Sequence, residues 1–274
     1  MSAVSDGRTP CSPVLVERLG GVGRVRLNRP EALNALDLAT KTQLLAALED
    51  LAADQGIRCV VLTGTGRAFC VGQDLREHVS RLNEVGPEGV LATVPEHYNP
   101  IATLLHTMDK PVVAAVNGVA AGAGASLAFL ADFRIVTASA GFNLAFAQIG
   151  LSCDTGCSWT LPRLVGPTTA MRLLLLGGTI TAEESLRLGI ATEVVPDAEF
   201  EERVHDLAGQ LAVGPTQAYA AMRRAVAYAS HSSLSDALAY EAELMARTGA
   251  TEDHQQAVDA FLAKRPAIFT GQRD

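Results

Sequence analysis

Apolar residues along this chain fall first into short blocks bounded by glycine turns. Beyond about residue 168 they fall instead into stripes of helical period. The early blocks predict strands at 14–19 and 23–27, separated by Gly20-Gly21, and a buried strand at 58–63 that ends on Gly64-Thr65-Gly66. Asp37 is placed to cap a helix with the stripe Leu38, Leu44, Leu45, Leu48 and Leu51. Beyond Asp74 the sequence turns polar and irregular, and Gly86-Pro87-Glu88-Gly89 marks a loop before a helix ending near Met108. A strand at 111–116, a helix opening at Gly122 and a strand at 132–137 follow. This alternation predicts an α/β class with a mostly parallel sheet. The later stripes predict helices at 199–211, 215–230, 233–247 and 252–264. Thr181 and Glu184 have the spacing of a capping box.

Three regions result: a flexible N-terminal tail at 1–12, an α/β core at 13–197, and a C-terminal helical region at 198–274, with the last two meeting at Pro196-Asp197. Helices placed after a complete core can serve assembly or pack back on that core, and the pattern leaves both open.

The segment between Lys110 and Asp132 has no charged residue and a length that suits a membrane span. Its composition argues against one. It is mostly Ala and Gly, with Asn117 near its middle, and only about a third is Leu, Val or Phe. Strand, Asn-Gly turn, glycine loop and buried helix is the better description. That order puts the backbone N–H groups of Gly122-Ala123-Gly124 at a helix start, where developing negative charge can be received.

Composition narrows the picture further. The chain has 274 residues, 48% of them hydrophobic and 19% charged. It suits one large domain burying roughly three quarters of its unfolded surface. The net charge of −8 argues against nucleic acid or an anionic membrane as the main partner. The five cysteines are irregularly spaced without a CxxC, which points to reduced thiols and a cytoplasmic location. Cys153 and Cys157 lack a nearby His or third Cys, so no metal site is expected. The first residues, MSAVSDGRTPCSP, have no apolar signal segment.

Several motifs compete for the glycine loops. Gly122-Ala123-Gly124 departs from the dinucleotide fingerprint because Leu127 stands at the third glycine position, and no GxxxxGK[ST] occurs. Gly124-Ala125-Ser126-Leu127-Ala128 is one residue from the GxSxG elbow. The downstream histidines His205, His231 and His254 all lie in the helical region, which favours Ser126 as a small packing residue. A second loop, Gly66-Arg67-Ala68-Phe69-Cys70-Val71-Gly72-Gln73-Asp74-Leu75, follows the strand at 58–63. Two such loops on neighbouring parallel strands could supply a two-donor oxyanion hole, or they could be ordinary turns.

Five segments carry a family resemblance: Leu27-Asn28-Arg29-Pro30 with Asn34-Ala35-Leu36, GRAFCVGQDL, KPVVAAVNGVAAGAG, TAEESLRLGIATEVVP and AFLAKRPAIFTG. On these the chain resembles the crotonase (enoyl-CoA hydratase/isomerase) superfamily over nearly its whole length. VNGVAAGAGASLA, the segment from Phe146 through LPRLVG, and FLAKRP place it nearest the ring-1,2-epoxyphenylacetyl-CoA isomerase group of phenylacetate catabolism. The resemblance implies a crotonase-like spiral of ββα units with a C-terminal helical trimerisation region, a homotrimer or hexamer. It also implies an acyl-CoA substrate, with coenzyme A as part of the substrate thioester rather than a tightly bound cofactor. It assigns the oxyanion donors to the backbone N–H groups of Gln73 and Ala123. The CoA site is expected along Arg29, Ala32 and Leu33 and along Cys70, Val71 and Gly72, with Gly122 and Phe146 bordering the substrate. Phe261 and Lys264 match positions that reach CoA, commonly from a neighbouring subunit.

Hydratases of the family carry two glutamates that hold and deprotonate water. Here those positions are Ser126 and Phe146, and neither can act as a carboxylate. Asp154 matches the catalytic aspartate of the epoxide-isomerase group and also that of the family's aryl-CoA dehalogenases, which place Trp where Phe146 stands. The familiar PDxGG is altered to Cys153-Asp154-Thr155-Gly156-Cys157. From the residues alone, Asp154 would suit a helix N-cap. With the resemblance, the expected activity is an acyl-CoA isomerase with Asp154 as acid/base, made competent by an apolar setting of Phe142, Leu144, Phe146 and Ile149. A hydratase and a non-catalytic acyl-CoA-binding or assembly subunit are the alternatives.

Overall fold

The computed structural model describes residues 12–271. The tail expected at 1–12 lies, apart from Ser12, outside the described residues. The chain runs β1 (Val14–Leu19), β2 (Val22–Leu27), α1 (Leu38–Ala53), β3 (Cys59–Gly64), β4 (Ala68–Cys70), α2 (Leu75–Leu91), α3 (Asn99–Thr107), β5 (Val112–Val116), β6 (Val119–Ala121), α4 (Ala123–Phe129), β7 (Phe133–Thr137), β8 (Gly141–Asn143), α5 (Cys157–Val165), α6 (Pro167–Leu176), β9 (Thr179–Thr181), α7 (Ala182–Arg187), β10 (Glu193–Val195), α8 (Phe200–Ala212), α9 (Thr216–Ala229), α10 (Leu234–Gly249) and α11 (Glu252–Leu262).

Two sheets share the strands in alternation. The first has the order β1-β2-β3-β5-β7-β10 and the second β4-β6-β8-β9. In the first, every neighbouring pair except β1/β2 is parallel. In the second, β4, β6 and β8 run parallel and β9 returns antiparallel. A strand of the first sheet is followed at once by one of the second, as in β3-β4, β5-β6 and β7-β8. After β4 and β6 a helix carries the chain back. This is the spiral of ββα turns that the resemblance implies.

The period of two along the strands explains why both faces of the first sheet are covered. Val60, Leu62, Val112, Ala114, Val116 and Val136 enter the main core with Leu44, Leu48 and Leu51 of α1. The intervening Cys59, Val61, Val113, Ala115 and Ile135 face the opposite way. There they meet Phe200, Val204, Ala208 and Leu211 of α8, which makes this helix a layer of the core. The uncharged segment between Lys110 and Asp132 forms β5, β6 and α4 inside the protein. No helix among the described residues is long and apolar enough to cross a membrane.

The polar stretch after Asp74 differs from its expectation. It is helical throughout α2, and the Asp74 carboxylate caps it by accepting from Arg76 N at 3.0 Å and Glu77 N at 3.3 Å. The Gly-Pro signal survives as a break inside the helix, with Gly86 at φ 72° and ψ 176°. The pattern misleads here because Leu75, Val79 and Leu82 lie on one side of α2 yet remain exposed. Thr181 caps α7 through Glu184 N at 3.1 Å, as its spacing predicts.

Truncating the α8 anchor tests this layer. Phe200, 4% exposed, packs against the back of the sheet. Phe200→Ala is expected to cost about 3–5 kcal/mol, read as a fall in the denaturation midpoint.

Candidate active site

β3 and β5 are hydrogen-bonded neighbours, and the two glycine loops leave them in the same direction. Polar side chains fix those loops at their base. Asn34 donates from Nδ2 to the carbonyls of Thr65 (3.0 Å) and Ala68 (2.8 Å), while its Oδ1 accepts from Arg29 N (2.9 Å). Asn117 donates to Gly66 O at 2.9 Å and accepts from Gly64 N at 3.0 Å. The Asn-Gly pair that reads as a turn signal therefore also ties one loop to the other.

Above these ties the loops touch. Gly124, at the start of α4, lies so close to β4 that a Cβ on it would sit 2.1 Å from Cys70 O. Gly72, with φ +84°, faces the other loop, and a Cβ there would sit 2.9 Å from Ala121 O and 3.1 Å from Ala123 N. A side chain at either position would part the loops.

This contact brings the two donors expected from the resemblance side by side. Gln73 forms an isolated parallel bridge with Leu36, in which Gly72 O accepts from Leu36 N and Asp74 N donates to Leu36 O. In extended backbone successive N–H groups point to opposite sides, so Gln73 N–H is directed away from Leu36. Across from it, Gly122 (φ 50°, ψ −125°) turns the chain into α4. Gly122 N donates to Asn143 O at 2.9 Å, and Gly122 O accepts from Ser126 N at 3.1 Å. Ala123 N–H, as the first amide inside the helix, has no partner within it.

The remaining predicted residues distribute around this point. Phe146 is buried with its ring edge beside Gly122, where an added Cβ would be 4.0 Å from it. Ser126 is wholly buried and donates back to Gly122 O at 3.2 Å. Leu33 and Val71 are joined by a backbone bond of 3.3 Å, which brings the 29–33 stretch against the 70–73 loop. Ala32 and Leu33 are partly exposed there. Arg29 braces the loops: its guanidinium donates to Ala35 O (2.7 Å) and Asp74 (3.0 Å) and lies 3.3 Å from Asp37. Cys70 is fully buried, and burial pushes its thiol pKa up to about 12. Phe261 and Lys264 stand apart from this group, exposed near the end of α11.

Asp154 does not cap a helix. Gly156, at φ 76°, is the N-cap of α5, and no side chain caps it. The Asp154 carboxylate instead accepts from Thr155 Oγ1 at 2.9 Å, in a turn where Thr155 itself has φ 53°. Burial holds its pKa above the usual Asp range, against the lowering effect of the Thr155 hydrogen bond. Of the apolar residues expected to surround it, Phe142, Leu144 and Phe146 are buried, whereas Ile149 is 52% exposed.

Two buried polar residues escape a reading of the pattern. Tyr98 is 1% exposed and donates its hydroxyl to Gln73 Oε1 at 2.7 Å. Burial raises its pKa, and the charge on Asp154 raises it further. Lys41 is also 1% exposed and donates to the same Gln73 Oε1 at 3.1 Å. A lysine in an amphipathic helix ordinarily marks the solvated face, so only the packing reveals it. Among the described residues, no group of three or more His, Cys, Asp and Glu is placed to hold a metal ion.

The chain is similar to known proteins over most of its length. The family model described as enoyl-CoA hydratase/isomerase matches residues 17–272. The chain is 44% identical over 254 residues to a probable enoyl-CoA hydratase of Rhodobacter capsulatus, covering 92% of this chain and 95% of that one. It is 40% identical over 253 residues to the 1,2-epoxyphenylacetyl-CoA isomerase of Escherichia coli, covering 92% and 96%. Among solved structures, the enoyl-CoA hydratase of Bacillus anthracis superposes with a TM-score of 0.89 at 29% identity, covering 95% of this chain and 100% of that one. The chain belongs to the enoyl-CoA hydratase/isomerase family of crotonase-fold enzymes.

Proposed function

We propose that this enzyme is an acyl-CoA isomerase that moves a double bond, or rearranges a ring epoxide, with Asp154 as its acid/base. The observation that carries the reading is the pairing of two facts. Among the described residues, Asp154 is the carboxylate whose pKa burial raises, and the two positions that the resemblance matches to the hydratase glutamates are a back-bonded serine and a buried phenylalanine.

The chemistry follows from the atoms present. The thioester carbonyl oxygen accepts from Gln73 N–H and Ala123 N–H. Ionised Asp154 removes a proton from the α or γ carbon, and the C–H electron pair moves through the chain of carbons to the carbonyl oxygen as an enolate. Two fixed donors stabilise that oxygen more than the neutral carbonyl, which is where the rate enhancement arises. Protonated Asp154 then returns its proton at another carbon, and the double bond has moved with no water added. A pKa raised toward working pH suits a group that must both take and give a proton. For a ring-epoxide thioester, Asp154 takes an α proton and the charge goes to the carbonyl oxygen between the same donors. The C–C bond shared by epoxide and ring breaks to give the seven-membered oxepin, and Asp154 returns the proton to a ring carbon.

The substrate carrier in this reading is coenzyme A, lying along Ala32, Leu33, Val71 and Gly72, with Cys70 and Arg29 supporting the loops. Phe261 and Lys264 fit a contact to CoA bound by a neighbouring subunit of a homotrimer or hexamer. Hydration remains the second reading because the Rhodobacter capsulatus relative bears a hydratase name.

A panel of 3-enoyl-CoA, 2-enoyl-CoA and ring-epoxide thioesters separates the readings. Isomerisation of the first or third, with water addition to the second at least about a hundredfold slower, is expected. Faster hydration than isomerisation sinks the proposal, and acyl-CoA binding without turnover of any member points to a non-catalytic subunit.

Asp154→Asn gives a second, linked test. Burial disfavours the charged carboxylate in the folded state, so its folded pKa exceeds the unfolded value. Its cost to stability is absent below the unfolded pKa, near 3.9 in model peptides, and complete above the folded pKa. Asp154→Asn should therefore lower kcat by about a hundredfold or more while raising Tm at pH 7. The Tm gain should shrink as pH falls toward 3. Retained turnover, or a Tm lowered at neutral pH, contradicts the assignment.

A further inference from the structure

Behind the oxyanion loop lies a polar cluster that the proposed chemistry does not use. Its centre is Gln73 Oε1, which accepts both from Tyr98 Oη at 2.7 Å and from Lys41 Nζ at 3.1 Å. Lys41 Nζ also donates to Thr93 Oγ1 at 2.7 Å, pairs with Glu77 at 3.7 Å, and stands 5.4 Å from the Tyr98 ring centroid. Thr93 Oγ1 in turn lies 3.3 Å from His97 Nδ1. Lys41 and Tyr98 are each 1% exposed and Thr93 is 7% exposed.

Burying an ammonium group is costly even where it is hydrogen-bonded, and a leucine or methionine on this face of α1 would pack without that cost. The geometry is also specific. The two donors reach the same side-chain oxygen from two separate elements, α1 and the helical turn preceding α3. The residue they grip is the one whose backbone N–H forms half of the oxyanion hole. Its backbone neighbours Val71, Gly72 and Asp74 are bonded to Leu33 and Leu36, and Asp74 is held further by Arg29. The side chain supplies a further attachment, through Oε1 to Tyr98 and Lys41 and through Nε2 to Asp74 O at 3.4 Å, which fixes the residue from the side away from Leu36.

We infer that Lys41 and Tyr98 are positioning residues that clamp the Gln73 side chain and thereby aim Gln73 N–H at the substrate carbonyl. They touch no substrate atom. Their effect passes through the direction of one amide, and a small misdirection of such a donor has a large effect on rate. This inference rests on the proposal that Gln73 N–H is an oxyanion donor.

The test reads the carbonyl directly. The probe is 4-(dimethylamino)cinnamoyl-CoA, a push–pull thioester whose absorption moves to longer wavelength when its carbonyl accepts hydrogen bonds. It is titrated into the full-length protein and into Tyr98→Phe, Gln73→Met and Lys41→Met. Tyr98→Phe removes a single hydroxyl, and Gln73→Met keeps the backbone N–H while removing Oε1, so these two carry the test if Lys41→Met fails to fold. The expected result is a red shift in the native protein that is at least halved in each variant. On the turned-over substrate, kcat should fall roughly tenfold or more with KM changed less than about threefold. Adding Tyr98→Phe to Gln73→Met should lower kcat no further, because the contact is already gone. A native red shift that persists undiminished in Tyr98→Phe and Gln73→Met overturns the clamp while leaving the hole intact, whatever happens to Tm. No red shift in the native protein removes the hole and the clamp together.

Discussion

The site depends on the distance between two stretches of backbone. Gly124 meets Cys70 O, and Gly72 meets Ala121 O and Ala123 N, at separations that no Cβ could share. The proposed chemistry rests on that contact, since the two amides proposed as donors could act on one oxygen only if the loops close on each other. The elements beneath are arranged to hold the gap shut. Asn34 and Asn117 tie the loop bases, Arg29 links the 29–33 stretch to Asp37 and Asp74, and Leu36 forms an isolated bridge with Gln73 itself.

Much of this architecture was legible because it is written in apolar blocks. β3, β5 and β7 are short β-branched runs buried on both faces, and such runs stand out from their glycine-bounded surroundings. The C-terminal stripes likewise mark α8 to α11 to within a residue or two. The second sheet is a different matter. β4, β6, β8 and β9 each span three residues, too few for an alternation to declare itself. α2 was missed because Gly86-Pro87 and the many charged residues around it outweigh the short Leu75, Val79 and Leu82 stripe.

The candidate site divides in the same way. Glycine loops after strands are visible in a sequence, and the residues standing in place of the hydratase glutamates are visible once a family pattern is laid beside them. Arg29, by contrast, stands in the stretch expected along CoA, and its bracing partners Ala35, Asp37 and Asp74 are not legible in the sequence. Lys41 and Tyr98 gave no signal at all, because a buried ammonium is indistinguishable in sequence from a solvated one. What burial does to a charge is decided by neighbours that lie far away along the chain.

The alternation of strands between two sheets sets a scale for the active site. Gln73 and Ala123, the proposed donors, follow β4 and β6, which are hydrogen-bonded neighbours in the second sheet. Adjacent strands lie about 4.8 Å apart whatever side chains they bear. The ruler between the two proposed donors is therefore the peptide repeat itself, common to every sequence that folds this way. In the proposed reading, Ser126, Phe146 and Asp154 are positions that can be exchanged around that fixed gauge, so that a change of reaction leaves the place where charge is received intact.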